Sequence, residues 1–128
     1  MRDTGNHIQL AIGDLLLIAE RELEVPAERL KEMIPLRDAE AALMVPSADP
    51  VEQAAFCCSQ IIRASLFPDA NKRIAFECMC EMLARSECPW PWLPEEEAMI
   101  ATMINRLHAG SISEAKFVDW VRMRVAVG

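Results

Sequence analysis

The middle of the chain reads Ser65-Leu66-Phe67-Pro68-Asp69-Ala70-Asn71-Lys72-Arg73. Apolar segments with helical spacing lie on both sides of this stretch, so it predicts a turn that leads into the N-terminus of a helix. Unpaired backbone N–H groups and the helix dipole favour anions at such a position, and Lys72 and Arg73 would add positive charge. We therefore expect a phosphate-binding turn, in which Asp69 holds a divalent cation and Asn71 donates to a phosphoryl oxygen.

A simpler structural interpretation of the same residues is also open. The segment from Asp69 to Arg73 is compatible with an Asx-type turn that caps the helix and is followed by two solvated cations. Short motifs also match by chance. The position tips the balance towards a bound anion, because two cations at a helix N-terminus are unfavourably placed relative to the helix dipole.

The stretch resembles the signature of the Fic/Doc family, His-x-Phe-x-Asp-Gly/Ala-Asn-Lys/Gly-Arg. The matching residues are Phe67, Asp69, Ala70, Asn71, Lys72 and Arg73. The lysine before the last arginine is similar to the Doc (death-on-curing) branch, whereas the adenylylating Fic branch usually has glycine there. The resemblance continues outside the motif: residues 35–48 look like the active-loop approach segment, residues 74–83 like the central helix and residues 109–113 like the turn before the last helix. It covers most of the chain and is weakest over about residues 1–30.

This resemblance implies a compact all-α helical bundle of the Fic/Doc type, formed as a single domain by residues 1–128. It implies a toxin of a toxin–antitoxin pair, with ATP and Mg²⁺ as cofactors. Such a toxin is a kinase that phosphorylates a translation factor, typically elongation factor Tu. The expected partner is a small antitoxin whose disordered segment folds against the toxin. A non-enzymatic binding module of the same fold and a nucleotidyltransferase that transfers AMP are the alternatives.

The resemblance also implies residue roles. Asp69 would bind Mg²⁺, and Asn71, Lys72 and Arg73 would hold the nucleotide phosphates. Arg63 would add another cation, or would instead interact with the C-terminal end of its helix or face solvent. Phe67 is expected to anchor the loop, because a large apolar side chain in a polar loop must be buried.

The most important departure from the family pattern is Ser65, which occupies the position of the family's histidine. That histidine acts on the attacking hydroxyl, and a serine cannot serve as the same kind of general base near neutral pH. Ser65 is either a natural or engineered inactivating change, or the mark of a member that has lost or altered the chemistry. His7 lies near the N-terminus and His108 in a distant helical segment, and we expect each to be a surface or packing residue.

The composition restricts the class of protein. The 128 residues suit one domain, and 52% hydrophobic residues are ample for a core. A net charge of −7, with only 5% aromatic residues, argues against direct nucleic-acid binding and leaves room for a basic protein partner. No apolar run is long enough to cross a bilayer and the N-terminus does not resemble a secretion signal, so we expect a cytoplasmic protein.

Five cysteines fit that compartment, because an odd number on helical segments is a poor disulfide framework. Their spacing does not suit zinc either, so we expect buried apolar thiols. The eight methionines are expected to fill the core.

The apolar periodicity predicts helices over residues 7–23, 26–34, 37–44, 50–64, 71–85 and 95–108, followed by a last helix capped by Ser113. Asp49 is expected to cap the fourth helix, with Glu52 completing a capping box. Three prolines exclude a helix over residues 88–94, where Trp90 and Trp92 are expected to cover the edge of the core. The two helices that flank the motif should form the centre of the fold.

Overall fold

The computed structural model describes residues 9–47 and 49–125. These residues form seven α-helices and a short 3-10 turn, with no strand among them, which confirms the all-helical prediction. The helices are α1 (Ile12–Leu23), α2 (Ala27–Met33), α3 (Leu36–Leu43), α4 (Pro50–Ala64), α5 (Asn71–Arg85), α6 (Glu97–Ala109) and α7 (Glu114–Arg124), and the 3-10 turn is Pro94–Glu96.

The centre of the fold is the pair formed by α4 and α5, as the sequence predicts. These two helices contact each other more extensively than any other pair, while α3 and α7 pack on α4 and α1 packs on α5. Both central helices are buried along much of their length, and the fully enclosed side chains include Ile61, Ile74, Met79 and Leu83. The motif loop joins these two helices, so both ends of the loop are fixed to the packed centre of the protein.

The start of α4 follows a local capping rule, with one difference. The Oδ1 atom of Asp49 accepts hydrogen bonds from the N–H groups of Val51 (2.9 Å) and Glu52 (3.4 Å), which confirms Asp49 as the N-cap of α4. The predicted capping box is wrong, because the Glu52 carboxylate accepts instead from the Ser47 hydroxyl at 2.8 Å. Ser47 also takes the Asp49 N–H at 3.2 Å, so it replaces Glu52 in that role.

Other boundaries differ from the prediction by a few residues. Helix α1 begins at Ile12 because the Asp14 carboxylate accepts the Ala11 N–H at 2.9 Å, which makes Ala11 the N-cap. Residues 7 and 8 of the predicted first helix lie outside the described residues. Pro26 precedes α2 as its N-cap, and α6 begins at Glu97 because residues 94–96 form the 3-10 turn.

The core expectations are largely confirmed. The five cysteines are free thiols; Cys57, Cys58 and Cys78 are buried as expected, whereas Cys80 and Cys88 are half-buried. Burial raises the pKa of Cys57 to about 12. Trp90 is buried and donates its indole N–H to Glu96 at 3.3 Å. Methionine is a mixed case, since Met79 and Met82 are core residues while the exposed ones are Met33, Met44 and Met123. None of the described helices has the length and apolarity that a membrane crossing requires.

An ion pair joins α1 to α5 on the surface. The Arg85 guanidinium donates to both carboxylate oxygens of Asp14, at 3.0 and 3.3 Å, and also to Glu81 at 2.9 Å. The hydrogen bond from Arg85, followed by that from the Ala11 N–H, lowers the pKa of the Asp14 carboxyl from its usual 3.8. The pair therefore fixes α1 against the central helix.

We expect Asp14→Asn to lower the free energy of unfolding by about 1 kcal/mol near neutral pH, a small effect because both partners are partly exposed. Because the folded-state pKa of Asp14 is depressed, its contribution is present above the unfolded value and is lost as the pH falls through the folded pKa. Urea unfolding across an acid pH series should show the two proteins converging in strong acid. Asp38→Asn is the matched control, since Asp38 occupies the same first-turn position in α3. An equal, pH-dependent loss in both variants would contradict this account.

Candidate functional site

The motif loop is held between two residues in the left-handed backbone conformation. Ser65 ends α4 at φ 47° and ψ 55°, and Ala70 precedes α5 at φ 61° and ψ 21°. Each non-glycine residue in this conformation costs about 1 kcal/mol or more, so packing must enforce it. Leu66 and Phe67, between them, are buried with 6% and 4% of their surfaces exposed. Phe67 therefore has the burial that an anchor requires.

Asn71 fixes the shape of this loop. Its side-chain oxygen accepts the Phe67 N–H at 3.0 Å, and its amide nitrogen donates to the Phe67 carbonyl at 2.8 Å. One side chain thus satisfies both polar groups of the Phe67 residue, as a neighbouring strand would. The contact seen for Asn71 is with the loop, whereas the predicted role was donation to a phosphoryl oxygen.

The N-terminus of α5 is open. No side chain caps it, and the first helical hydrogen bond runs from the Ile74 N–H to the Ala70 carbonyl at 2.9 Å. Asp69 accepts only from the adjacent Ala70 N–H, at 2.7 Å, and not from the first turn of the helix. The interpretation of the motif as an Asx-type cap is therefore wrong. The N–H groups of the first turn are left for an anion or for water.

The two cations of the motif have weak or neutral partners. Lys72 is half-buried, and its Nζ atom donates to the Asn105 side-chain oxygen of α6 at 2.7 Å. Arg73 lies 3.7 Å from the Glu22 carboxylate of α1, and its side chain is 68% exposed. A phosphate could replace the neutral Asn105 amide as the partner of Lys72. It could also replace the Glu22 carboxylate, which forms a long and exposed ion pair with Arg73, so both cations are available to a ligand.

A groove of about 740 Å³ lies over the loop and the start of α5. Five motif residues line it, which are Ser65, Asp69, Asn71, Lys72 and Arg73, while the anchor residue Phe67 does not. Two ionisable residues that the sequence did not predict for the site also line it, Glu22 from α1 and His108 from α6. The motif therefore lines a concave surface, on which the Asp69 carboxylate lies near the cations Lys72 and Arg73.

Arg63 is not part of this groove. Its guanidinium forms an ion pair with Glu114, the first residue of α7, and donates to the Ser59 hydroxyl at 2.7 Å. These residues line a neighbouring cavity of about 280 Å³, with His108 in the wall between the two. The structure therefore gives Arg63 a role in holding α4 to α7, and Arg63 does not line the groove in which it was expected to hold a phosphate.

The segment that resembles an active loop also lies elsewhere. Residues 36–43 form helix α3, which packs on α4. No residue in the described part of this segment, residues 35–47, lines the groove over the motif. Ala48, the last residue of the segment, lies outside the described residues.

A second cavity, of about 370 Å³, adjoins the groove through Glu22, Lys72 and Arg73. Its wall contains Glu77, whose carboxyl pKa is raised by burial first and then by the hydrogen bond and charge of Glu22. Arg73 and Arg21 act in the opposite direction on this pKa. The apolar part of the wall includes Phe76 and Trp92, whose rings meet edge to face with centroids 5.8 Å apart.

The carboxylate of Asp69 fits a shared magnesium site. Within residues 9–47 and 49–125, no group of three or more His, Cys, Asp or Glu residues is placed to hold a metal ion by itself. Mg²⁺ in phosphate-binding sites is usually held by one or two carboxylates and completed by substrate phosphates and water. Asp69 is exposed at the groove, so it could supply the protein ligand of such an ion.

Comparison with known proteins does not extend this description. No protein-family model matches the sequence, and no curated protein matches it.

The residues missed by sequence reasoning come from helices far along the chain. Glu22, Asn105 and His108 reach the motif only because α1 and α6 pack beside α5. Asn105 and His108 are three residues apart, which places them on one face of α6, but nothing local indicates what that face meets.

We expect Asn71→Ala to lower the free energy of unfolding by about 1–3 kcal/mol, because it removes both hydrogen bonds from the largely buried Phe67 backbone. Hydrogen exchange should show faster exchange of the Phe67 amide in this variant. The matched control is Asn105→Ala, which loses one surface hydrogen bond and should change stability by no more than about 0.5 kcal/mol. Unchanged Phe67 protection in Asn71→Ala would disprove the bracing role.

Proposed function

We propose that this chain binds ATP with Mg²⁺ in the groove over the motif and acts as a Doc-like transferase. It would move the γ-phosphoryl group to a hydroxyl of a translation factor such as elongation factor Tu. The observation that carries the proposal is the open N-terminus of α5, which shares one groove with Asp69, Lys72 and Arg73.

Phosphoryl transfer asks the protein mainly for positioning and for neutralisation of charge. The N–H groups of the first turn of α5 would hold phosphoryl oxygens, and the side chains of Lys72 and Arg73 would balance their charge. Asp69 would hold Mg²⁺ together with the phosphates, and the bound ion would supply further neutralisation. Asn71 would act by keeping the loop in shape, since its amide is hydrogen-bonded to Phe67.

Ser65 sets the expected rate. It is exposed at the groove, where the family pattern has a histidine. A serine hydroxyl is a poor proton acceptor near neutral pH, so transfer should be slow although the nucleotide binds.

The biological setting follows from the resemblance in the motif. The chain would be the toxin of a toxin–antitoxin pair in the cytoplasm, where ATP and translation factors are found. A small antitoxin would bind it through a disordered segment that folds on contact. A second candidate, a binding module that has lost the reaction, is favoured by one observation, the serine at position 65.

Isothermal titration with ATP and Mg²⁺ tests the groove. We expect saturable binding, and we expect Arg73→Ala to weaken it by about 10-fold or more, because a hydrogen bond to a charged group contributes about 1.5–3 kcal/mol. Arg29→Ala is the control, since Arg29 is an exposed arginine of α2 outside the three cavities described above. Absence of binding, or equal binding by Arg73→Ala, would remove the basis of the proposed function.

Ser65→His tests the chemistry. We expect it to raise labelled-phosphate transfer from ATP to elongation factor Tu by about 100-fold or more, the usual contribution of a general base. Expression of this variant should inhibit growth more strongly than the unchanged chain. Ser65→Ala is the control and should transfer at the rate of the unchanged chain.

Mass spectrometry of the target separates the candidate functions. A phosphate adduct supports the kinase and an AMP adduct would instead identify a nucleotidyltransferase. No adduct, even with Ser65→His, would favour the binding module.

A further inference from the structure

His108 lies in the groove that the motif forms. It belongs to the last turn of α6, its side chain is exposed, and it lines the same concave surface as Ser65, Asp69 and Lys72. The sequence gives no reason to expect this, because 42 residues of chain lie between Ser65 and His108. The fold therefore places the imidazole of His108 in the groove, although the motif itself has serine at the histidine position.

An independent contact fixes the direction in which this face of α6 points. Asn105 accepts a hydrogen bond from the Nζ atom of Lys72 at 2.7 Å. His108 is three residues further along α6, and residues at this spacing are neighbours on one helix face. Beside His108 on the helix surface, Ile104 and Leu107 are buried, so His108 lies at the edge of the buried face of α6. The face of α6 that contains His108 is thus tied to the motif by a hydrogen bond as well as by packing.

The end of α6 is well defined. Gly110, at φ 78°, terminates the helix in the left-handed conformation, and the Ser111 N–H donates to the Arg106 carbonyl at 2.9 Å. His108 therefore lies on a regular helical turn, so the position of its backbone is fixed relative to the groove.

The carboxylates around His108 are paired with arginines or are suited to bind a metal ion. In the groove, Glu22 is paired with Arg73, and Asp69 is the carboxylate suited to Mg²⁺. On the other side of His108, Glu114 accepts from Ser59 at 2.7 Å and is paired with Arg63. Among the described residues, His108 is the only histidine, and imidazole is the side chain used most often for proton transfer near neutral pH.

We propose that His108 is the proton acceptor of the slow phosphoryl transfer that remains when Ser65 occupies the motif position. This inference rests on the proposed function. The hydroxyl oxygen of the acceptor would bond to the γ-phosphorus of ATP, and the bond from that phosphorus to the bridging oxygen of ADP would break. The hydroxyl proton would pass to an unprotonated ring nitrogen of His108 and from there to water. The products are the phosphorylated acceptor and ADP.

The test measures transfer of labelled γ-phosphate to elongation factor Tu and to water, together with ATP affinity by titration calorimetry. We expect His108→Ala to lower the transfer rate by about 10-fold or more while ATP affinity changes less than about twofold. Added imidazole should restore part of the lost rate in His108→Ala only. His7→Ala removes the other histidine of the chain and is the control for a general effect of losing an imidazole.

The same substitution in the Ser65→His background separates a chemical role from a structural one. With a histidine restored at the motif, removal of His108 should change the rate less than about twofold, because the proton then has another acceptor. An equal loss in both backgrounds would show that His108 only supports the fold, and would overturn the inference.

Three further outcomes are informative. Equal transfer by His108→Ala and the unchanged chain would overturn the role of His108 and leave the proposed function standing. ATP binding without measurable transfer by the unchanged chain would do the same. Failure of the unchanged chain and of Ser65→His to bind ATP would refute the proposed function, and the inference would fall with it.

Discussion

The two hydrogen bonds between the Asn71 side chain and the backbone of Phe67 are the constraint on which the site depends. They close the loop between the two central helices and hold the polar backbone of a buried aromatic residue without help from secondary structure. With the loop fixed in this way, Ser65 and Ala70 remain in the left-handed conformation, and α5 begins directly afterwards with its first turn uncapped. A loop of other shape would point the same cations in other directions.

This constraint also explains why a short motif can organise a larger surface. Lys72 and Arg73 sit on the first turn of α5, and each reaches a different neighbouring helix, α6 through Asn105 and α1 through Glu22. The groove is therefore lined by the loop and by residues of four helices, α1, α4, α5 and α6, and its charge comes from residues whose positions are set by the packed centre. That arrangement is what phosphoryl transfer requires of a protein, a fixed constellation of donors rather than a flexible one.

Most of the helices could be predicted from the sequence because their signals are local. Apolar spacing locates α4 and α5. Helix ends are set by hydrogen bonds within a few residues: α4 begins after Asp49, α7 begins after Ser113, and α6 ends at Gly110. The prediction for Glu52 failed because Ser47, which is also close to Asp49 in the sequence, accepts the Asp49 N–H and donates to the Glu52 carboxylate. Arg63 lies outside the groove, and its guanidinium forms an ion pair with Glu114, which is far away in the sequence. Contacts between residues of different helices depend on helix packing, and the sequence around the motif contains no pattern that predicts them.

The ion pair between Arg73 and Glu22 has a consequence for the energetics of the neighbouring cavity. Arg73 lowers the pKa of the Glu77 carboxyl, while burial and Glu22 raise it. An anion bound beside the guanidinium would offset this positive charge, and the Glu77 carboxyl would then gain affinity for a proton. An anion bound at the motif would thus be linked to the proton affinity of a carboxyl about one helical turn away.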